Sequence, residues 1–321
     1  MSKGDKPGTG PQDIENPRRR QLLGGAAVAA GLAAIGGAAG GAEARQSEPK
    51  ATGAAIPDAL LRDKVDTVVV IFAENRSFNN LFGDFPGLEK PLSAVPPEQS
   101  LQRDRDGSVL RQLPPVWEGM VPNKQVVRHR EYQIGQDDLP TLPNAPFMLK
   151  TPEGDPLPQG LVTRDLIHAF YNNQLQINGG RNDGFVAWGD SGALTMGRYG
   201  DNSANLRLWQ IAREFTLCDN FFMGAFGGSF LNHQYLIAAR PPFYPDAANS
   251  PAKGRITVLE GSDPHGIMPK QTAKSPKSAL DGPVQFVPTS LSPDFYAVNT
   301  MLPPYAPTYR LDPARPGYSD W

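Results

Sequence analysis

Two short stretches of the sequence carry residue types that could do chemistry. Glu74-Asn75 sets a carboxylate beside an amide oxygen, hard donors suited to a divalent metal. The same pair also suits an ordinary turn, where Asn is common. Gly227-Gly228-Ser229-Phe230-Leu231-Asn232-His233 places a hydroxyl at the start of a predicted helix, behind glycines that allow a ligand to come close. The first turn of a helix offers free N–H groups and positive potential to a phosphate. Ser229 could attack phosphorus if a metal lowered its pKa, and Asn232 could hydrogen-bond a phosphoryl oxygen. A serine in this place also reads as a plain helix N-cap.

The elements that must hold these residues follow from periodicity. Asp66-Thr67-Val68-Val69-Val70-Ile71-Phe72-Ala73 is a continuous β-branched apolar run, which predicts a strand buried on both faces of a central sheet and ending at Glu74. Ligands of open α/β sheets bind at such carboxyl ends. Residues 84–160 are rich in Pro, Gly and charge, and predict a long surface excursion. A helix is expected from Thr163, as its cap, to about Asn178, with Leu166, Ile167, Phe170 and Tyr171 inward. A second is expected over 203–215, with Leu208, Ile211, Ala212 and Phe215 as its core stripe. Phe215–Asp219 then reads as a short strand, with Cys218 as a buried small hydrophobe. From Ser229 a third helix runs to about Ala239. Trp188, Trp209 and Phe221, Phe222 and Phe226 are expected in the core.

Composition narrows the function classes. A net charge of −2 gives no basic footprint for nucleic acid. The single cysteine excludes an internal disulfide, and four histidines disfavour a histidine-rich zinc site. Gly189-Asp190-Ser191-Gly192 has the look of a serine-protease motif but lacks the His context that a triad needs. The N-terminus reads as an address. Arg19-Arg20-x-Leu-Leu, a weakly apolar run to about Gly41 and Ala42-Glu43-Ala44 match a twin-arginine signal peptide over 1–44. Its scattered glycines make a poor membrane span. A linker over 45–62 follows, then the catalytic domain from 63. The expected location is periplasmic or secreted, with the twin-arginine export machinery as a partner.

Taken together, Val68–Gly83 (Val-Val-Val-Ile-Phe-Ala-Glu-Asn-Arg-Ser-Phe-Asn-Asn-Leu-Phe-Gly) and the pair Phe215–Phe222 and Gly227–His233 resemble the bacterial acid phosphatase/phospholipase C phosphoesterases of the alkaline-phosphatase-like superfamily. The resemblance covers about residues 65–240. It implies an α/β fold with a mostly parallel central sheet flanked by helices. It implies Glu74, Asn75 and Ser229 as ligands of a divalent metal, Ser229 as nucleophile through a phosphoserine intermediate, and Asn232 as a phosphate contact. His168 lies where the family has an active-site histidine, suited to offsetting phosphoryl charge or moving a proton. Ser229 followed by Leu231 fits the phosphatase branch, whose substrates are small phosphomonoesters. The alternatives are a phospholipase C acting on phospholipids, or a catalytically inactive fragment that at most binds phosphate or lipid head groups. The last follows from a departure: an Asp pair that relatives carry downstream of the nucleophile has only a faint echo in Asp263-Pro264-His265-Gly266, and the chain ends at Asp320-Trp321. A C-terminally truncated domain is expected on that basis.

Overall fold

The computed structural model describes residues 62–74, 76–260 and 267–300. The signal peptide, nearly all of the linker, Asn75, the Asp263–Gly266 echo and the C-terminal residues 301–321 lie outside the described residues. The chain divides into two units at Ile71/Phe72, each taken by itself. In the first unit, Val68 to Ile71 form no strand and are 65–86% exposed. The expected doubly buried strand is therefore not there. Such a strand needs a neighbour on each side, and among the described residues the sheets are only two-stranded.

The second unit is mixed α/β. Its named elements are α1 (Phe78–Phe82), α2 (Pro97–Ser100), β1 (Val121–Val127), β2 (Arg130–Ile134), β3 (Phe147–Met148), α3 (Phe170–Ile177), α4 (Phe185–Trp188), β4 (Gly197–Arg198), α5 (Arg207–Glu214) and α6 (Ser229–Ala238). β1 and β2 make an antiparallel hairpin through Arg128 and His129, both at positive φ, and β3 pairs with β4 in parallel.

The main core corrects the reading of 84–160. Leu110, Leu113, Val116, Met120, Val121, Ile134, Leu149 and Leu157 are all buried there, packed with Leu161, Val186, Leu194 and Tyr199. The segment is irregular yet central: prolines and turns hide its apolar residues from any periodic pattern. A smaller cluster joins Ala247, Ala252, Leu291 and Ala297.

Helix expectations need correction too. The helix expected from Thr163 begins only at Phe170, with no side-chain cap, and buries Tyr171, Asn172, Leu175 and Gln176. In place of one helix over 203–215 there is a 3-10 segment, Gly200–Asn205, and then α5. On α5, Trp209 is the buried residue, whereas Leu208, Ile211 and Phe215 are exposed. Trp209 offers more area to the aromatics of the first motif, lying 4.9 Å from Phe85 and stacked at 6.2 Å on Phe82. The 215–219 stretch is not a strand, and Cys218, Phe221, Phe222 and Phe226 are exposed rather than core.

Because regular ladders are few, side chains tie the loops together. The Arg105 guanidinium donates to the carbonyls of Ala187, Pro276, Ser278 and Gly282. Asp104 accepts from the Ser278 hydroxyl and the Ala279 amide beside it. Burial lowers the Arg105 pKa, and the carboxylates of Asp104 and Asp281 oppose that shift. Among the described residues no helix is long and apolar enough to cross a membrane.

The position of the core gives a test. Leu113→Ala should cost about 2–5 kcal/mol in urea unfolding, and Val126→Ala, at a position 69% exposed, less than about 0.5 kcal/mol. Equal small losses would return 84–160 to the surface.

Candidate functional site

The first motif is anchored by its own residues. Ser77 caps α1, its Oγ accepting from the Asn80 N–H at 3.2 Å. Arg76 donates to the carbonyls of Gln159 and Leu161, both at 3.0 Å, and lies over the Tyr199 ring. Asn80 donates to Gly197 O, and its own carbonyl accepts from Tyr199 N–H. Trp209 Nε1 donates to Leu81 O. Asp84, just past the motif, pairs with Arg198. Burial pushes the Asp84 carboxyl up, but its bonds from Ser93 and the charge of Arg198 together hold it below its usual value. The Arg-Ser-Phe-Asn-Asn-Leu-Phe-Gly half of the motif is thus scaffold. Glu74, before this half, is exposed.

α6 begins at Ser229, and Gly228 is its N-cap, so Ser229 is the first helical residue rather than the cap. The difference is chemically useful. No side chain caps this helix and no acidic residue sits in its first turn, so the amides of Ser229, Phe230 and Leu231 have no partner within the helix. The half-buried Ser229 hydroxyl has no hydrogen-bond partner among the described residues. Asn232, buried, turns back on the approach loop: Nδ2 donates to the carbonyls of Gly227 and Gly228 at 3.2 Å each, and Oδ1 accepts from Ala225 N–H.

Two contacts link α6 to chain segments that carry expected residues. The Phe72 ring lies 4.6 Å from that of His233, which stands one turn after Ser229 and donates Nδ1–H to the Ser229 carbonyl at 2.7 Å. The second unit therefore begins, at Phe72, beside the N-terminal turns of α6. His168 packs against the cap residue: a Cβ added to Gly228 would lie 2.4 Å from His168 O and 3.2 Å from its Cδ2. Glycine is required by this approach.

His168 is held from both sides. A carbonyl only accepts, so Nδ1 donates its proton to Leu166 O at 2.6 Å. Nε2 is left to accept or, when protonated, to donate. Asp165 is 3.9 Å from Nδ1. The segment carrying His168 is pinned by residues that the sequence pattern gave no reason to select. Asp190 accepts from Ile167 N–H and from the Ser191 hydroxyl, and faces Arg164 at 3.6 Å. Arg164 also donates to Trp117 O and Asp190 O. The protease-like Gly-Asp-Ser-Gly is thus a fastening: Ser191 is fully buried, and Gly192 admits no Cβ against Pro115 O.

His168 also lines a cleft of about 610 Å³ whose other residues include Arg255, Phe286, Val287, Thr289 and Asn299. Tyr171, nearby on α3, is pushed up to about 12 by burial, with Asp294 adding to the rise, so it stays a neutral phenol.

For a metal, the described donors are too few. Glu74 and Ser229 supply two oxygens, and among the described residues no three His, Cys, Asp or Glu side chains gather. A divalent ion wants about six oxygens. The described residues therefore do not by themselves fit a metal.

The Gly228 contact predicts that Gly228→Ala displaces His168 and lowers the melting temperature by the equivalent of about 1–3 kcal/mol. Gly254→Ala, where an added Cβ meets nothing within 4 Å, should stay within about 0.5 kcal/mol. Equal melting temperatures would refute the close approach.

Comparison with curated proteins and with solved structures found no match. Comparison with family models matches residues 65–286 to the Phosphoesterase family. That stretch holds both motifs, His168 and the whole of α6. Spanning well over half of the 321 residues, it makes this chain a member of the Phosphoesterase family.

Proposed function

We propose that this protein is an exported acid-phosphatase-like hydrolase that cleaves small phosphomonoesters through Ser229. The observation that carries the reading is the packing of His168 on Gly228, which sets a histidine beside a serine at an uncapped helix N-terminus. Family membership supplies the reaction class, hydrolysis of phosphoric esters.

In this reading the phosphoryl group sits at the first turn of α6, where the free amides and the helix dipole favour its charge. Ser229 Oγ attacks phosphorus in line. The Oγ–P bond forms as the P–O bond to the leaving alcohol breaks. The Ser229 proton leaves through Nε2 of His168, which returns a proton to the alcohol. Water then attacks the phosphoserine and releases phosphate, restoring the hydroxyl. Nδ1–H bonded to Leu166 O fixes the tautomer that this proton transfer needs. Asn232 keeps the glycine loop in the shape that exposes Ser229. A divalent ion remains part of the proposal as cofactor, with Glu74, Asn75 and Ser229 as the residues that would hold it and neutralisation of phosphoryl charge as its contribution. The alkaline-phosphatase-like arrangement of the complete domain belongs to the same reading. Phospholipase C activity would appear as preference for p-nitrophenylphosphorylcholine.

The deciding assay is release of p-nitrophenol from p-nitrophenyl phosphate by the full chain with a panel of divalent metals. Ser229→Ala should abolish turnover, by about 1,000-fold or more, while keeping the fold. His168→Ala should lose about 100- to 10,000-fold and regain part of it with added imidazole. Activity retained in Ser229→Ala would rule out the serine mechanism, and a folded wild type that turns over neither ester would leave an inactive member of the family. Export is checked separately: replacing Arg19 and Arg20 together by lysine should leave the unprocessed precursor in the cytoplasm, and unchanged processing would refute the twin-arginine route.

A further inference from the structure

The cleft beside His168 is lined by one arginine, Arg255, together with the carboxylates of Asp165 and Asp190. Asp190 is taken by Arg164, Ile167 and Ser191, whereas the Asp165 carboxylate, 3.9 Å from His168 Nδ1, is 66% exposed, so that solvent screens its charge. Thr289 and Asn299 bond each other and the neighbouring backbone, Asn299 also accepting from Tyr171 N–H. Arg255 has no ion pair, and its guanidinium has no hydrogen bond, among the described residues. Its backbone, in contrast, is firmly placed. The Arg255 carbonyl accepts from the amides of both Ser290 and Leu291, at 2.8 and 2.9 Å. Leu291 is fully buried in the smaller core cluster. Arg255, exposed and fixed at its backbone, is thus a lining residue of the same cleft that His168 lines, its guanidinium within a side chain's reach of it.

The rest of the wall is apolar. Val284 is buried, Phe286 stacks 6.3 Å from Trp188, and Val287 is partly open to solvent. One cationic fork, one imidazole and an aromatic wall suit a ligand with a compact anion at one end and an apolar group at the other. A guanidinium matches phosphoryl oxygens two at a time. Its attraction scales with ligand charge, so it helps a doubly charged monoester more than a singly charged diester.

We propose that Arg255 binds the phosphoryl oxygens of the substrate in this cleft and sets a preference for phosphomonoesters over phosphodiesters. The proposal deepens the phosphoester-hydrolase reading and rests on it for the ligand's chemistry, but it does not need Ser229 to be the nucleophile.

The test uses the full chain with Arg255→Gln and Arg255→Lys. Arg255 is exposed, so both variants should fold, which circular dichroism and melting check. Binding of inorganic phosphate, followed by calorimetry, should weaken about 10- to 100-fold in Arg255→Gln, while Arg255→Lys recovers part of it. For p-nitrophenyl phosphate, kcat/KM should fall by a similar factor, mainly through KM. For bis(p-nitrophenyl) phosphate it should fall at least about 5-fold less. Equal phosphate affinity in wild type and Arg255→Gln would overturn the proposal, and so would equal losses on the two esters. The phosphate titration decides Arg255 whatever Ser229→Ala does. A surviving Ser229→Ala enzyme with phosphate affinity still dependent on Arg255 would sink the serine mechanism and uphold this one.

Discussion

The site depends on one approach of bare backbone. The carbonyl of His168 occupies the space where any side chain at 228 would begin. That contact brings a segment from before α3 against the cap of α6, so that His168 packs on the residue that precedes Ser229. It also explains the glycine before the serine in physical terms: with no Cβ at 228, the cap can be reached from one side by protein and from the other by a ligand. Everything else in the second unit can be judged by whether it holds one of the two partners in that contact.

Arginines do much of the holding. In a chain with 33 Gly and 33 Pro and only short strands, many loop carbonyls lack a ladder partner. Buried carbonyls must still be satisfied. A guanidinium offers several donors in one plane, so a single side chain can close several loops. Arg76 fixes the first motif to 159–161, Arg164 fixes the His168 segment to Trp117 and Asp190, and Arg105 fixes the 103–108 turn to 276–282. These guanidinium groups are committed to protein. Arg255 differs because its backbone is bonded and its head group has no partner among the described residues, and that contrast separates a scaffold arginine from a candidate ligand-binding one.

The sequence was legible where function constrains local pattern and opaque where burial depends on distant partners. The start of α6 could be read to within one residue, because glycines, a serine and a ten-residue helix are local, although Ser229 is the first helical residue and not the cap. His168 could be placed by resemblance, although its helix was overextended: Thr163 to Ala169 is held by Asp190 and Arg164 instead of by helical bonds. Burial was the weak inference. Val68 to Ile71 read as a buried strand and Leu208, Ile211 and Phe215 as a core stripe, yet all are exposed, because no described element covers them. The converse error fell on 84–160, where Leu110, Leu113 and Val116 have no helical or strand period and still form the core. Arg255 had no sequence signal at all. Only the cleft distinguishes it from any other surface arginine.

Asn232 shows how geometry alters a role without removing it. A carboxamide in the first turn of a helix invites assignment to a phosphoryl oxygen. Here both donors of its NH₂ are spent on the carbonyls of Gly227 and Gly228, and its oxygen already accepts from Ala225. Turning it toward a ligand would free two carbonyls in a buried place, at a cost of about 1–3 kcal/mol each. A contact with phosphate would have to return more than that. The cheaper arrangement leaves Asn232 bracing the loop and, in the proposed reading, gives the phosphoryl oxygens to the first-turn amides of α6 and to Nε2 of His168. On this account Asn232 acts through the shape of the glycine loop, and the charge of the substrate is met by groups that have no other partner among the described residues.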